Sequence, residues 1–478
     1  MAKPPHVAII GAGLSGLRCA DILTQKGARV TILEARDRIG GRVSQTQVGG
    51  HSIDLGPNWI HGTEDNPINT IAESVNATLA EFEEEQVIFS PDGTPLDQKT
   101  AIKASEFMWT TVEEGFAYSK KNQDSIPADR SLLDFLREKL EKTGFTPEEK
   151  SACIGISNIW ASYVGDPVDR QSLRFFHLEQ CVDGSNFFVA STYKKILDNI
   201  STAARQRADI RLNQPVVKIE STPRNNSHER HSITLTTAAG ESHTFDEVVV
   251  TCPLGWLKRN QSAFNPALPP RLSQAINSLS YGRLEKVYIT FPRAFWHTPT
   301  TNPSFAHFLN PSYDQHPQDI TWNQDCFSLA NFPAPHAHPT LLFYINGPCA
   351  SHIVSKISNL PTSSDEYYNT LNSIFHPFYS RLHGYSPTSS DCKPRAFLAT
   401  QWQNDPYAGH GSYSNFQVGL EEGDKDVEVL HVGQAERAVW FAGEHTAPFV
   451  ALGTTTGAYV SGERAARQVL GVYGLETA

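Results

Sequence analysis

Membrane-length apolar runs, basic blocks and paired cysteines are all missing from this 478-residue chain. No apolar stretch reaches the ~18 residues that a membrane span requires. The opening "MAKPPHVAII" lacks a charged segment followed by an apolar one and a cleavage site, so no secretory leader is expected. The closing "GLETA" is not a peroxisomal address. Seven cysteines (Cys19, Cys153, Cys181, Cys252, Cys326, Cys349, Cys392) are odd in number and irregularly spaced, with no CxxC pair. That pattern argues against a disulfide framework and against a zinc site. Sequons at Asn76, Asn225 and Asn260 carry little weight without secretion. The net charge of −11 includes no cluster of Lys and Arg, so neither nucleic acid nor an anionic membrane is an expected partner. A cytoplasmic protein, monomer or homodimer, is expected.

The composition that remains is ordinary for a globular protein, 39% hydrophobic and 19% charged. The chain is longer than one hydrophobic core supports, which predicts two domains. "HVAII" is a continuous apolar run, as in a buried parallel strand, and "LRCADILTQKG" has helical spacing and stops at Gly27. "RVTILE" is a second strand. Residues 66–150 read as largely helical, with "EFEEEQ" as a solvated acidic face, and "STYKKILDNISTAARQ" reads as a helix. "IRLNQPVVKIE", "SITLTTAAG" and "FDEVVVTCPLG" read as strands, with "STPRNNSHERH" as a hairpin tip. The His, Pro and Asn-rich stretch 297–319 reads as a long surface excursion.

Gly11, Gly13 and Gly16 form G-x-G-x-x-G between the first strand and helix. The first glycine permits a tight turn, the second lets a pyrophosphate approach the backbone, and the third lets helix and strand pack closely. The helix N-terminus then offers free N–H groups to phosphate. Glu34 closes the second strand, where a carboxylate accepts hydrogen bonds from both ribose hydroxyls and repels a 2′-phosphate. These residues predict a dinucleotide other than NADP; by themselves they do not separate NAD from FAD. A second glycine-rich loop, "GTTTGAYVSGERAA", opens a helix near the end of the chain.

"EARDRIGGRV" (34–43), "DLGPNWIHG" (54–62), "VVVTCPLGWLK" (248–258), "YGRLEKVYITFPRAFW" (281–296) and "WQNDPYAGHGSYS" (402–414) decide between the two. With the opening loop, in this order, they resemble the flavin-dependent amine oxidases, which include monoamine oxidases, polyamine oxidases and the lysine-specific histone demethylase. The chain is most similar to fungal polyamine-oxidase-like enzymes, some of which act on long-chain amino-polyols of the fumonisin type. The resemblance implies an α/β fold of the glutathione-reductase-like kind. A discontinuous Rossmann-like FAD-binding domain (1–75, 190–275 and 396–478) would carry an α+β substrate-binding domain (76–189 and 276–395). It also implies FAD held non-covalently, since Ser412 stands where monoamine oxidases keep a flavin-linked Cys. Glu34 would meet ribose, and Arg36, Gly41 and Arg42 would lie along ribose and pyrophosphate. Pro57, Asn58, Trp59 and Trp402 would lie by the flavin ring and Val216 by adenine. Glu444 and the backbone at Thr454 and Thr455 would contact the flavin end of FAD, where a helix N-terminus meets the negative charge of the reduced ring.

Amine oxidation needs orientation more than acid–base machinery, and no metal. By resemblance Lys286 is the lysine held near flavin N5 through water, where its charge assists reduction of O2. Tyr413 would be one wall of an aromatic cage around the amine; Thr454 stands where many members keep the other wall, a Tyr. His61 replaces a Glu found in some plant polyamine oxidases. Trp160 and Phe188 belong to the expected substrate domain without an assigned place. The expected activity is oxidation of a long-chain or bulky primary amine to an imine, then to aldehyde or ketone plus NH3, with O2 reduced to H2O2. A polyamine oxidase acting on spermine, spermidine or their acetylated forms is the runner-up. A flavoprotein dehydrogenase or desaturase on a non-amine substrate is the alternative of another class. For the polyamine reading, distant acids such as Glu64, Asp65 or Asp183 would supply negative potential, without an assigned place.

Overall fold

The computed structural model describes residues 4–81, 85–221, 232–297 and 302–475. In chain order its main elements begin with β1 (His6–Ile10), α1 (Leu14–Gln25), β2 (Arg29–Leu33), β3 (Gln86–Phe89) and α2 (Gln98–Asn122). Next come α3 (Lys194–Arg207), β4 (Asp209–Arg211), β5 (Val216–Ser221), β6 (Glu247–Val250) and β7 (Glu285–Thr290). The chain continues through β8 (Phe305–Phe308), β9 (Gln324–Ser328), β10 (Thr340–Ile345) and β11 (Ala396–Ala399) to β12 (Val439–Phe441) and α4 (Thr455–Val472).

Two sheets organise the molecule. The first is five-stranded, in the order β12-β6-β1-β2-β4, with every pairing parallel. Its central strands β1 (HVAII) and β6 (EVVV) are apolar after their first residue, as strands covered on both faces must be. Helices α1, α3 and α4 supply Leu17, Leu23, Ile196, Ile200 and Val469 to the core on one face. The second sheet runs β11-β7-β10-β9-β8-β3, antiparallel except for the β8–β3 edge. The antiparallel meander β8-β9-β10 of the second sheet thus accompanies a nucleotide-type parallel sheet, an α/β architecture.

The closing helix packs on the opening one, which explains the small residues of "GAYVSGERAA". A Cβ at Gly462 would lie 2.2 Å from the Ser15 carbonyl oxygen, so only glycine lets α4 come this close to the start of α1. Ser461 Oγ accepts the Gly443 N–H at 2.9 Å and tethers the loop after β12 to the same contact.

Three sequence expectations change. "IRLNQPVVKIE" is two strands in different sheets: β4 ends the parallel sheet, the chain turns at Asn213 (φ 55), and β5 joins a four-stranded sheet. The stretch 297–319, of which 298–301 lie outside the described residues, is only in part a surface excursion: 309–319 is irregular and largely exposed or half-buried, but a strand precedes it. Its "FAHF" is β8, inserted between β9 and β3, with Ala306, His307 and Phe308 buried. A four-residue strand flanked by Asn and Pro leaves too short a hydrophobic pattern to read, and its partner β3 lies far away in sequence. Glu85 of "EFEEEQ" borders the main cavity rather than bulk solvent alone. Residues 82–84 and the hairpin tip at 222–231 lie outside the described residues, although β5 and the strand Ile233–Thr237 pair antiparallel as expected.

Candidate active site

A cavity of about 1230 Å³ runs from the β1–α1 loop to the face of the antiparallel sheet. At one end lies the glycine loop. Gly11 adopts φ +108, and a Cβ there would strike Thr251 Oγ1 at 2.6 Å. Gly16 does not border the cavity; a Cβ on it would lie 2.1 Å from the Gly11 carbonyl oxygen, so its role is close packing of α1 on β1. Gly13 differs: a Cβ there meets no protein atom within 4 Å, and the residue lines the cavity. The first turn of α1 has neither a side-chain cap nor an acidic residue, leaving its amide end to a phosphate. Glu34 is buried at the end of β2, accepting the N–H groups of Ala12 (2.6 Å) and Arg36 (2.8 Å). Val216 borders the same groove.

Arg36 and Arg42 also line the cavity, each held by a carboxylate. Arg36 Nη2 donates to both oxygens of Asp405, at 3.0 and 2.9 Å. Arg42 Nη1 donates to Glu444 Oε1 (3.0 Å), the Ser412 carbonyl (2.7 Å) and the Tyr281 hydroxyl (3.2 Å). Burial works against ionisation of Glu444, yet Arg42, His445 and the Ser414 hydroxyl together hold its carboxyl below the usual range. Gly41 sits over the Gly13 backbone, with φ +60. At the other loop Thr454 caps α4: its Oγ1 accepts the Gly457 N–H at 2.9 Å and donates to the Ala451 carbonyl at 2.7 Å. Thr455 lines the cavity beside it. Two uncapped or lightly capped helix starts therefore border one cavity, both without acidic residues in the first turn.

Beyond the loops the cavity floor is the antiparallel sheet. Lys286 on β7 is buried; its Nζ donates to the backbone carbonyls of Gly56 and Asp54, the latter at 3.3 Å. Burial brings this ammonium down to about 7, with the nearby Asp54 carboxylate opposing the shift. Asp54 itself is pushed up by burial, against the hydrogen bonds it accepts from Gln45 and the Tyr193 N–H. Pro57, Asn58 and Trp59 line the wall above, Asn58 accepting the Tyr344 hydroxyl at 3.0 Å and Trp59 Nε1 donating to that hydroxyl at 3.1 Å. Trp402 Nε1 donates to the Leu55 carbonyl at 3.2 Å. Tyr413 hangs its hydroxyl on the Tyr163 carbonyl at 2.6 Å. Burial lowers the His61 imidazole, which the Asn186 side chain partly offsets.

Every residue expected at the cofactor or beside the amine, except Gly16, thus borders one cavity. Trp160 lines it too, stacked on Tyr163 at 5.2 Å, whereas Phe188 packs behind Trp59 against Phe327. Glu64, Asp65 and Asp183 do not border it; Glu85, Glu106, Glu179 and Asp325 do. Sequence reasoning missed Tyr344, Tyr163, His307 and Asp325. The only signal for Tyr344 was its place in the apolar run "TLLFYI", where strand geometry puts it on one face without saying which face meets a ligand.

A dinucleotide fits the groove: the open Cβ direction of Gly13, the uncapped start of α1 and the strand-end carboxylate of Glu34 face the same space. No helix among the described residues is long and apolar enough to cross a membrane. The family described as flavin-containing amine oxidoreductase matches residues 14–470. Similar proteins include probable polyamine oxidase 4 of Arabidopsis thaliana, 26% identical over 91% of this chain and 84% of that protein. Polyamine oxidase 4 of Oryza sativa is 27% identical over 97% of this chain and 88% of that protein. Lysine-specific histone demethylase 1B of Mus musculus is 25% identical over 97% of this chain but only 52% of that protein. The chain belongs to the flavin-containing amine oxidoreductases, and its cofactor is FAD.

Proposed function

We propose that the protein oxidises a long-chain or bulky primary amine, releasing aldehyde or ketone plus NH3 and passing electrons to O2 as H2O2. Bound FAD supplies the acceptor for the hydride leaving the amine Cα. Residues 1–75, 190–275 and 396–478 would hold it. Glu34 takes the ribose hydroxyls, Gly11 and Gly13 with the α1 amides the pyrophosphate, and Arg36, Gly41 and Arg42 border it. Val216 meets adenine. Glu444 and the Thr454–Thr455 backbone meet the flavin end, with Pro57, Asn58, Trp59 and Trp402 around the ring. Residues 76–189 and 276–395 form the substrate domain.

The observation that carries the reading is the chamber around Lys286. A buried lysine, the Tyr413 ring and the Trp59–Tyr344 pair border a space that continues, lined by Trp160, Tyr163 and Trp109, toward α2. In this arrangement Tyr413 orients a neutral amine and Thr454 leaves room beside it. His61 offers a hydrogen bond without the fixed anion of a carboxylate. Lys286 holds positive charge near the site where O2 is reduced.

The runner-up, a polyamine substrate, has its own support. Glu85, Glu106, Glu179 and Asp325 border the cavity, and two relatives carry the name polyamine oxidase. The test mixes the yellow holoenzyme anaerobically with n-alkyl amines, amino alcohols, spermine and spermidine, then admits air and assays peroxide. Bleaching by long primary amines with peroxide on aeration is the expected result. Fastest bleaching by spermine or spermidine would select the runner-up. Bleaching by no amine, or bleaching without peroxide, would point to a dehydrogenase.

A further inference from the structure

Four polar side chains form a row across the cavity-facing sheet. Lys286 stands opposite Tyr344, Tyr344 opposite Asp325, and Asp325 opposite His307, each pair in direct register on neighbouring strands. All four border the cavity. At three strand spacings the far end of the row lies about 14 Å from Lys286. Lys286 and Tyr344 belong to the chemistry already described. His307 has no part in it, and Asp325 entered only as one of the four acids that border the cavity.

The pair is built for one hydrogen-bonding sense. Asp325 Oδ2 accepts the Ser162 hydroxyl at 2.6 Å, and Ser162 in turn accepts Asn346 Nδ2 at 3.3 Å. Asp325 Oδ1 lies 3.0 Å from His307 Nδ1. An ionised carboxylate only accepts, so the ring hydrogen of a neutral His307 sits on Nδ1 and the lone pair is left on Nε2. Among the described residues the ring makes one hydrogen bond, through Nδ1; Nε2 makes none, and it is not among the atoms sealed inside the protein, although the residue as a whole is 4% exposed. A buried imidazole held in one tautomer, with its acceptor nitrogen unused at a cavity wall, is a fixed acceptor for a ligand.

We propose that His307, oriented by Asp325, is a distal specificity residue that accepts a hydrogen bond from a hydroxyl or amino group of the substrate, remote from the amine being oxidised. The inference rests on the amine-oxidase reading and extends it to a substrate class. The amine lies at the Lys286 end, and a second donor group follows after about 14 Å, roughly a dozen single bonds of extended chain. Asp325 acts through His307 as a positioning residue. Phe305, Ile88 and Met108 border the cavity around this end, so the part of the chain next to His307 meets apolar walls.

The test uses the holoenzyme and straight-chain primary amines of graded length, each ending in methyl, hydroxyl, amino or methoxy. In the wild type, hydroxyl or amino termini should raise kcat/KM about tenfold over methyl near a dozen bonds and not in short chains, with the gain in KM. His307→Leu should bring that ratio close to one. Asp325→Asn presents an amide N–H to Nδ1 and moves the ring hydrogen to Nε2, so it should favour methoxy over amino termini. Isothermal titration with a matching α,ω-diol, which is not oxidised, should show about tenfold weaker binding in His307→Leu. A gain confined to amino termini identifies a polyamine-like substrate, and one confined to hydroxyl termini an amino alcohol; either supports the proposal. Amines that bleach the flavin with no length-dependent gain, or a gain that survives both substitutions, overturn it and leave the oxidase reading standing. Failure of every amine to bleach the flavin overturns both.

Discussion

The Lys286 ammonium lies 6.0 Å from the centre of the Tyr344 ring, the two residues facing each other across adjacent antiparallel strands. The aromatic face and the carbonyls of Gly56 and Asp54 stabilise a charge that burial otherwise disfavours. Lys286→Met should therefore retain FAD but slow reoxidation of the reduced enzyme by O2 roughly 10- to 100-fold. Because burial brings Lys286 down to about 7, its charge is present below that pH and lost above it. The wild-type oxidation rate constant should fall as pH rises through neutrality, and the Met variant should lack that step. Stopped-flow mixing with oxygenated buffer reads both, and an unchanged rate would make Lys286 merely structural.

Gly13 and Gly16 are expected to fail differently when changed to alanine. At Gly16 the new Cβ meets the Gly11 carbonyl at 2.1 Å, so Gly16→Ala should destabilise the apoprotein by about 1–3 kcal/mol. At Gly13 it meets no protein atom, so Gly13→Ala should cost no more than about 1 kcal/mol as a poorer helix cap. Its main effect should be on FAD, bound at least about tenfold more weakly for ~1.4 kcal/mol of lost approach. Apoprotein melting and flavin titration separate the two; equal effects on both would refute the assignment.

FAD should be released by acid precipitation, leaving the supernatant yellow. Ser412, before Tyr413, carries no thiol, and its Oγ accepts the Leu284 N–H at 3.1 Å. A yellow pellet would mean a covalent link at a residue with no motif to mark it.

Thr454→Tyr should lower kcat/KM for long-chain amino alcohols more than for benzylamine, by the ~1–3 kcal/mol that a reshaped pocket discriminates. It also removes the cap on α4, so Tm should drop by the equivalent of about 1 kcal/mol. Thr454→Ser keeps the cap and should leave both quantities near wild type. If the Tyr variant treats large and small amines alike, Thr454 does not set the width of the entrance.

The parallel sheet and its first loop were legible because their signals are local. An apolar run, three glycines and a carboxylate lie within residues 6–34, and each has a short-range physical reason. The second glycine loop was legible only as a helix start. That Gly462 must be glycine follows from Ser15, on a helix far away in sequence. Likewise β8 could not be read from "FAHF", because its strand character comes from β9 and β3 on either side.

Residue types and local order were thus set by the sequence itself: which loop binds phosphate, which strand is buried, which family the motifs resemble. Tertiary structure alone decided which side chains share a face. The Lys286, Tyr344, Asp325 and His307 row is assembled from four strands whose register depends on backbone pairing between distant segments. A one-residue slip in any of them would turn its polar side chain to the other face of the sheet.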